Sequence, residues 1–268
     1  MFSELKIYSR PPAVADQFYP ADATQLAALL QQMMAVAKPA VQNKIKAMIV
    51  PHAGLVYSGP VAASAYQALK QQADKISRVV LMGPSHRVGF HGVATTSASE
   101  YSMPFGPVRI DRAATSLIAT LPQVQQLDQA HQLEHSLEVQ LPFLQTVLSN
   151  FTLVPLVVGE CTANQVAEVL ELLWDGEETL IVVSSDLSHY HSYEVATKMD
   201  RRTSDAILNL SPEDIHYADA CGRNPVNGLL LAAKQHQLKS DLIDLRNSGD
   251  TAGTRDRVVG YGAYLFSR

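Results

Sequence analysis

Cysteine is nearly absent from this chain: Cys161 and Cys221 are the two thiols in 268 residues. That is too few for a disulfide framework and compatible with a reducing compartment, so both are read as buried structural thiols. An excess of positive charge is also missing, with 21 Lys and Arg against 26 Asp and Glu and a net charge of -5. The chain therefore offers no electrostatic footprint for nucleic acid or an anionic membrane. No apolar run approaches the roughly 18 residues of a membrane span, and the N-terminal MFSELKIYSRPP has no signal-peptide h-region. A cytoplasmic protein is expected.

Further absences narrow the chemistry. There is no Gly-x-Ser-x-Gly elbow, so Ser85 and Ser185, each beside a histidine motif, are poor candidates for a serine nucleophile. Gly-rich phosphate loops are missing too, since GYGAY at Gly260 to Tyr264 lies inside an expected strand. No low-complexity linker or long internal repeat divides the chain, and residues 1–268 are expected to form a single domain.

What is present is a grammar used three times. Lys46 to Gly59 reads KAMIVPHAGLVYSG, Arg78 to His86 reads RVVLMGPSH, and Thr179 to His189 reads TLIVVSSDLSH. In each, a short apolar run rich in β-branched residues breaks into a turn that carries a histidine. Such runs suit strands buried on both faces. If those strands are parallel neighbours, their C-terminal ends deliver His52, His86 and His189 to one sheet edge, where open α/β folds bind ligands.

Helical patterns alternate with these runs. Asp22 caps a helix whose apolar face is Leu26, Leu29, Leu30 and Met33, and an alanine-rich helix spans Val61 to Leu69. Asp111 caps a helix through Leu121, and others are expected over Asn164 to Trp174, Glu194 to Leu210 and Val226 to His236. Strands are expected at Leu153 to Val158 and Val258 to Phe266. Phe18 and Tyr19 should tuck against the body of the protein, and Val88 to Arg109 reads as an excursion of turns and short strands. The alternation predicts an α/β fold, a three-layer αβα sandwich with a mostly parallel central sheet.

Two imidazoles and a carboxylate form the facial arrangement preferred by non-haem Fe(II), leaving positions open for oxygen or substrate. His52 and His86 are the imidazole candidates. Asp186 and His189 lie at the same edge, where either could ligate or His189 could serve as general acid or base. His131 to His135 spells H-x-x-E-H, the pattern of inverted zinc hydrolases, with Glu171 or Glu177 as a conjectural further ligand. The alternatives at this stretch are an ordinary helix with Glu134 and Glu138 on its polar face, or a helix start from which His135 or Glu138 points into the pocket of His52 and His86. The helical pattern runs from His131 to Asn150, with a kink or break expected at Pro142.

Seven ordered blocks carry a resemblance: RPPAVADQFYP, VPHAGLVYSGPVAASAY, GPSHRVGFHGVA, EHSLEVQLPFL, SSDLSHY, ACGRNPV and SGDTAGTRDRVVGYGAY. Together they resemble the Memo family, whose prokaryotic members are called AmmeMemoRadiSam system protein B. The resemblance implies a fold like that of class III extradiol ring-cleaving dioxygenases. It implies His52 and His86 as pocket histidines, with Asp186 and His189 as the aspartate and histidine after the later strand. Animal members carry a cysteine in the loop before the last strand. Here Thr251 takes that place beside Asp250, which makes Asp250 the third-ligand candidate. Asp250 reaches the pocket only if Val258 to Phe266 runs antiparallel to the histidine strands, so an antiparallel last strand is expected, with the Ser248 to Thr251 backbone facing the pocket.

The expected function is a metal-binding oxidoreductase of non-haem iron type with Fe(II), or else Cu or Zn, acting on a small molecule. Its metal ligands are His52, His86 and Asp250, and its catalytic residues are His189 and Asp186. A non-catalytic protein that recognises a peptide or protein through the same pocket is the alternative, followed by a zinc-dependent hydrolase. The resemblance further implies radical-SAM and AMMECR-type proteins as partners.

Overall fold

The structure is a computed structural model describing residues 8–37, 44–174 and 176–268. Residues 1–7 of the stretch read for a signal peptide lie outside the described residues. Four apolar runs form parallel neighbours at the centre of one sheet: β1 (Ile45–Val50), β2 (Arg78–Pro84), β5 (Thr152–Val158) and β6 (Thr179–Ser184). Their order is β1-β6-β2-β5. Every residue of β1 and β6 is buried, as expected for strands covered on both faces.

Alternate residues of these strands feed two separate cores. Met48, Val50, Val79, Leu81, Leu180 and Val182 point to one face. There they meet α1 (Ala23–Ala35), α2 (Leu55–Leu69) and α5 (Leu141–Val147), the last preceded in the chain by α3 (Arg112–Ile118) and α4 (Asp128–Gln132). Ala47, Ile49, Val80, Met82, Ile181 and Val183 point to the other face. Across it lie α3, α6 (Ala163–Leu172), α7 (Tyr193–Leu208) and α8 (Arg223–Gln235). The fold is the expected three-layer αβα sandwich.

The sheet is mixed outside its parallel centre. β3 (Val93–Thr95) pairs antiparallel to β5 and parallel to β4 (Val124–Gln126). At the other side β9 (Val258–Ser267) pairs antiparallel to β1, as the sequence predicts for the last strand. β7 (His189–His191) and β8 (Lys239–Asn247) both pair antiparallel to β9. β8 is not legible as a strand in the sequence because KSDLIDLRN mixes polar and apolar residues without a regular period and is mostly only partly buried, unlike the uniformly apolar runs of the sheet centre.

The excursion after β2 does form short strands. Glu100–Tyr101 pairs with Ser9–Arg10 and with Val108–Arg109 in a separate small sheet. The long helix expected from His131 to Asn150 is absent: α4 ends at Gln132, a 3₁₀ turn covers Glu138–Gln140, and Pro142 falls in the first turn of α5. There proline costs no hydrogen bond. The break leaves residues 133–137 as an irregular turn against the end of β2. Gly83 permits this approach, since a Cβ there would meet Ser136 Oγ at 2.7 Å. Among the described residues no helix is long and apolar enough to cross a membrane.

Candidate metal centre

His52 follows the end of β1, His86 follows the end of β2, and the turn before Glu138 adds His135. Their ring centroids are 5.2, 5.5 and 4.5 Å apart for the pairs His52–His86, His52–His135 and His86–His135. One nitrogen from each lies within 4.8 Å of the others. Of the readings of H-x-x-E-H, the one that sends His135 into the pocket of His52 and His86 matches this placement. His131 does not join them. Its Nδ1 meets Tyr101 Oη at 2.7 Å and its Nε2 meets Ala94 O at 3.0 Å, so the paired-histidine geometry of a zinc hydrolase is not formed.

The hydrogen bonds around the cluster settle which nitrogens face inward. Ser184 Oγ has one proton and donates it to Ser136 O at 2.6 Å. The same oxygen lies 2.9 Å from His52 Nδ1, so Nδ1 is the donor there and Nε2 keeps its lone pair. Gln140 Nε2 donates to both Ser184 Oγ and Pro51 O, fixing the hydroxyl. His86 is set by Glu134, which accepts from its backbone amide at 2.6 Å and from Nδ1 at 2.9 Å. Burial pushes the Glu134 carboxyl up, but the bonds from His86 and from the amides of His86 and Ser136 outweigh it and bring it down to about 2. It is a carboxylate, so His86 donates to it through Nδ1, and Nε2 is the ring nitrogen left for the cluster. His135 Nδ1 is buried with no hydrogen-bond partner.

His52 and His135 are held neutral. Burial, and then the neighbouring His86, His135 and His189, push His52 well below the usual histidine range. Burial brings His135 down to about 4. Neutral rings with inward lone pairs, each oriented through its other nitrogen where a partner exists, are the donor set a transition metal takes. His135 Nδ1 lies 3.4 Å from Glu134 Oε1, and the ring brings a third imidazole to the same cluster.

The carboxylate candidates separate. Asp186 is buried and lines the cavity with the histidines, and its Oδ1 accepts from the His52 amide at 2.7 Å. Burial raises its carboxyl to about 6. Asp250 is not brought to the cluster and does not line the cavity. Its Oδ1 accepts from Tyr193 Oη at 2.7 Å and its Oδ2 from the Asn247 amide at 3.1 Å, closing a local capping box. The antiparallel last strand does bring Ser248 to the cavity wall, but the carboxylate two residues on is turned into its own turn. His189 lines the cavity, and burial lowers its pKa. Ser85 Oγ and Ser185 Oγ donate to the carbonyls of Val88 and Asp186, so neither is poised as a nucleophile.

Sequence reasoning missed three residues at this site. Glu134 was read on the polar face of a helix that does not form. Ser184 looked like the last residue of a strand. Cys221, read as a structural thiol, places Sγ 3.4 Å from His52 Nε2. Only its block ACGRNPV, lying at the start of α8, hinted at a role.

The cavity measures about 1290 Å³ and opens above the three rings. Phe18 forms part of its wall, edge-on to His135 at 4.9 Å. Phe18 is held there because Tyr19 Oη, the amides of Ala13 and Val14, and the Arg10 guanidinium all converge on the buried Glu138 carboxylate.

Comparison with known proteins agrees with the fold. A solved structure described as uncharacterized protein JW3007 from Escherichia coli K12 superposes with a TM-score of 0.52 at 14% identity, covering 81% of this chain and 99% of that one. It shares the fold. A MEMO1 family protein of Methanococcoides burtonii is 37% identical over 96% of this chain and 99% of its own length. Those of Aquifex aeolicus and Ignicoccus hospitalis are 35% and 34% identical, each over 96% of this chain and 98% of its own length. The family described as Memo-like protein matches residues 10–265, and with blocks from Arg10 to Tyr264 accounted for, the chain belongs to the Memo family.

Proposed function

We infer that this chain is a metal-dependent oxidoreductase acting on a small organic molecule, with His52, His86 and His135 holding the metal. The observation that carries the reading is the convergence of three imidazoles, two of them oriented through Nδ1 by Ser184 and Glu134, at the floor of a large cavity. Imidazole donors suit iron, copper and zinc, and Fe(II) is the metal that goes with oxidation chemistry on such a floor. When bound, the metal supplies a Lewis acid and, if iron or copper, an electron carrier.

The chain's own groups do the rest. His189 is neutral and lines the cavity, so it accepts a proton from a substrate hydroxyl near pH 7. Asp186 fixes the His52 backbone, and Glu134 and Ser184 hold two rings in register. Phe18 and Phe90 shield the cavity with apolar surface.

Metal analysis of protein purified without chelator tests this reading. About one equivalent of iron, copper or zinc is expected in the wild type, and much less in H52A/H86A. Added Fe(II) should raise the wild-type melting temperature, and catechols should then consume oxygen. If no metal appears above trace and Fe(II) leaves the melting temperature unchanged, the metal reading fails. The cavity then belongs to a binding protein for a peptide or another protein.

A further inference from the structure

The mouth of the cavity is built differently from its floor. Tyr57, Tyr190 and Tyr217 are 40%, 64% and 81% exposed, yet all three line the cavity. Two arginines lie on these rings. The Arg257 guanidinium sits 5.3 Å from the Tyr190 centroid, and that of Arg223 sits 5.6 Å from the Tyr217 centroid. Both arginines also line the cavity. A guanidinium parked on a ring uses its flat face and keeps its N–H edge free, so the stack limits the side chain while leaving a planar fork for a carboxylate.

Tyr190 is placed there at a cost. Its φ of 61° is left-handed, a strained conformation uncommon outside glycine. The pairing of β7 with β9 shifts register between His189 and His191, a bulge that breaks the strand's alternation. In consequence His189, Tyr190 and His191 all line the cavity, where a regular strand would turn the middle residue away. The strain puts an aromatic seat for Arg257 beside His189.

Charge at the mouth selects the ligand further. Arg223 faces Glu160 at 3.6 Å, whereas Arg257 has no carboxylate partner among the described residues. Glu160 thus offsets one of the two arginines, and the single net positive charge left suits a monoanion better than a dianionic phosphate monoester. The volume of about 1290 Å³ exceeds the roughly 300–1,000 Å³ typical of small-molecule pockets, so a single ring would leave most of it empty.

We propose that the cavity takes an elongated aromatic carboxylate, its acid group bound by Arg257 with Arg223 and its other end turned toward His52, His86 and His135. The proposal rests on the cavity being a substrate site, but recognition of the acid needs no metal.

Calorimetric titration of the full chain in chelator, with benzoate, N-benzoylglycine and N-benzoylglycylglycine, each against its methyl ester, tests it. The longer acids should bind about tenfold tighter than their esters, the size of one charge-assisted hydrogen bond. R257Q should shrink that ratio to within about threefold while leaving the melting temperature unchanged, because Arg257 is exposed. R223Q should shrink it less. H52A/H86A should leave the ratio intact, which separates failure here from failure of the metal reading. The proposal is overturned if no acid in the series outbinds its ester, if R257Q keeps the full preference, or if phenyl phosphate binds more tightly than every carboxylate.

Discussion

Glu134 grips His86 at both ends of one carboxylate, Oε2 taking the backbone amide at 2.6 Å and Oε1 taking Nδ1 at 2.9 Å. The grip sets the ring's tautomer as well as its position. Glu134→Gln replaces one accepting oxygen with an NH₂ that faces N–H donors. Outer partners of metal-bound histidines typically contribute 10–100-fold to affinity. E134Q should therefore weaken Zn²⁺ binding by about 10–100-fold in a competition titration. Unchanged affinity, in a variant whose circular dichroism is native, would show that Glu134 only supports the backbone.

Four residues later the same turn serves stability. Glu138 is fully buried and accepts from Arg10, the amides of Ala13 and Val14, and Tyr19 Oη. Removing one partner of a buried, hydrogen-bonded ion pair costs about 3–5 kcal/mol, because the donors left behind stay desolvated. Glu138→Ala should lower the unfolding free energy in urea by about that amount. It should also open the segment around Phe18 to proteolysis. A loss below about 1 kcal/mol would mean that water replaces the carboxylate.

How much of this was legible in the sequence follows from what each feature depends on. β1, β2, β5 and β6 announce themselves because both faces are buried, so their interiors are apolar apart from Lys46, with polar residues otherwise confined to the strand ends. His52 and His86 were legible because they sit where those runs break. His135 was one reading among three, since its direction depends on α4 ending at Gln132, which the helical periodicity of residues 131–150 conceals. Asp250 drew attention through its neighbour Thr251, but a short carboxylate in a turn can close on its own backbone, and Asn247 and Tyr193 capture both its oxygens. The roles of Ser184 and Glu134 are set by which proton goes where, and no spacing in the sequence encodes that.

His131 gives the chain a pH dependence away from the cluster. Burial brings its pKa down to about 4, from 6.5 in the unfolded chain. Between those values the unfolded state binds a proton that the native state does not, so stability falls as pH falls from 6.5 toward 4. The contribution of this one group is on the order of 3 kcal/mol over the whole window. His131→Gln should flatten the pH profile of urea unfolding between pH 6.5 and 4.5 relative to wild type. Parallel profiles for the two proteins would remove His131 as a source.

The identity of the third ligand divides two arrangements that the sequence left together. If His135 completes the set, His135→Ala removes one of three donors and also the ring packed between Phe18 and His86. Zinc affinity should then fall by at least about 100-fold, since losing a direct ligand costs more than losing its outer partner. Asp250→Ala should leave zinc affinity within about threefold of wild type. That change should still cost about 1 kcal/mol of stability, because the part-buried Asn247 amide loses its acceptor. The two variants are read side by side in one competition titration with a chelating indicator. A large loss in D250A with little change in H135A would reverse the assignment and require the Asn247–Asp250 turn to open when metal binds.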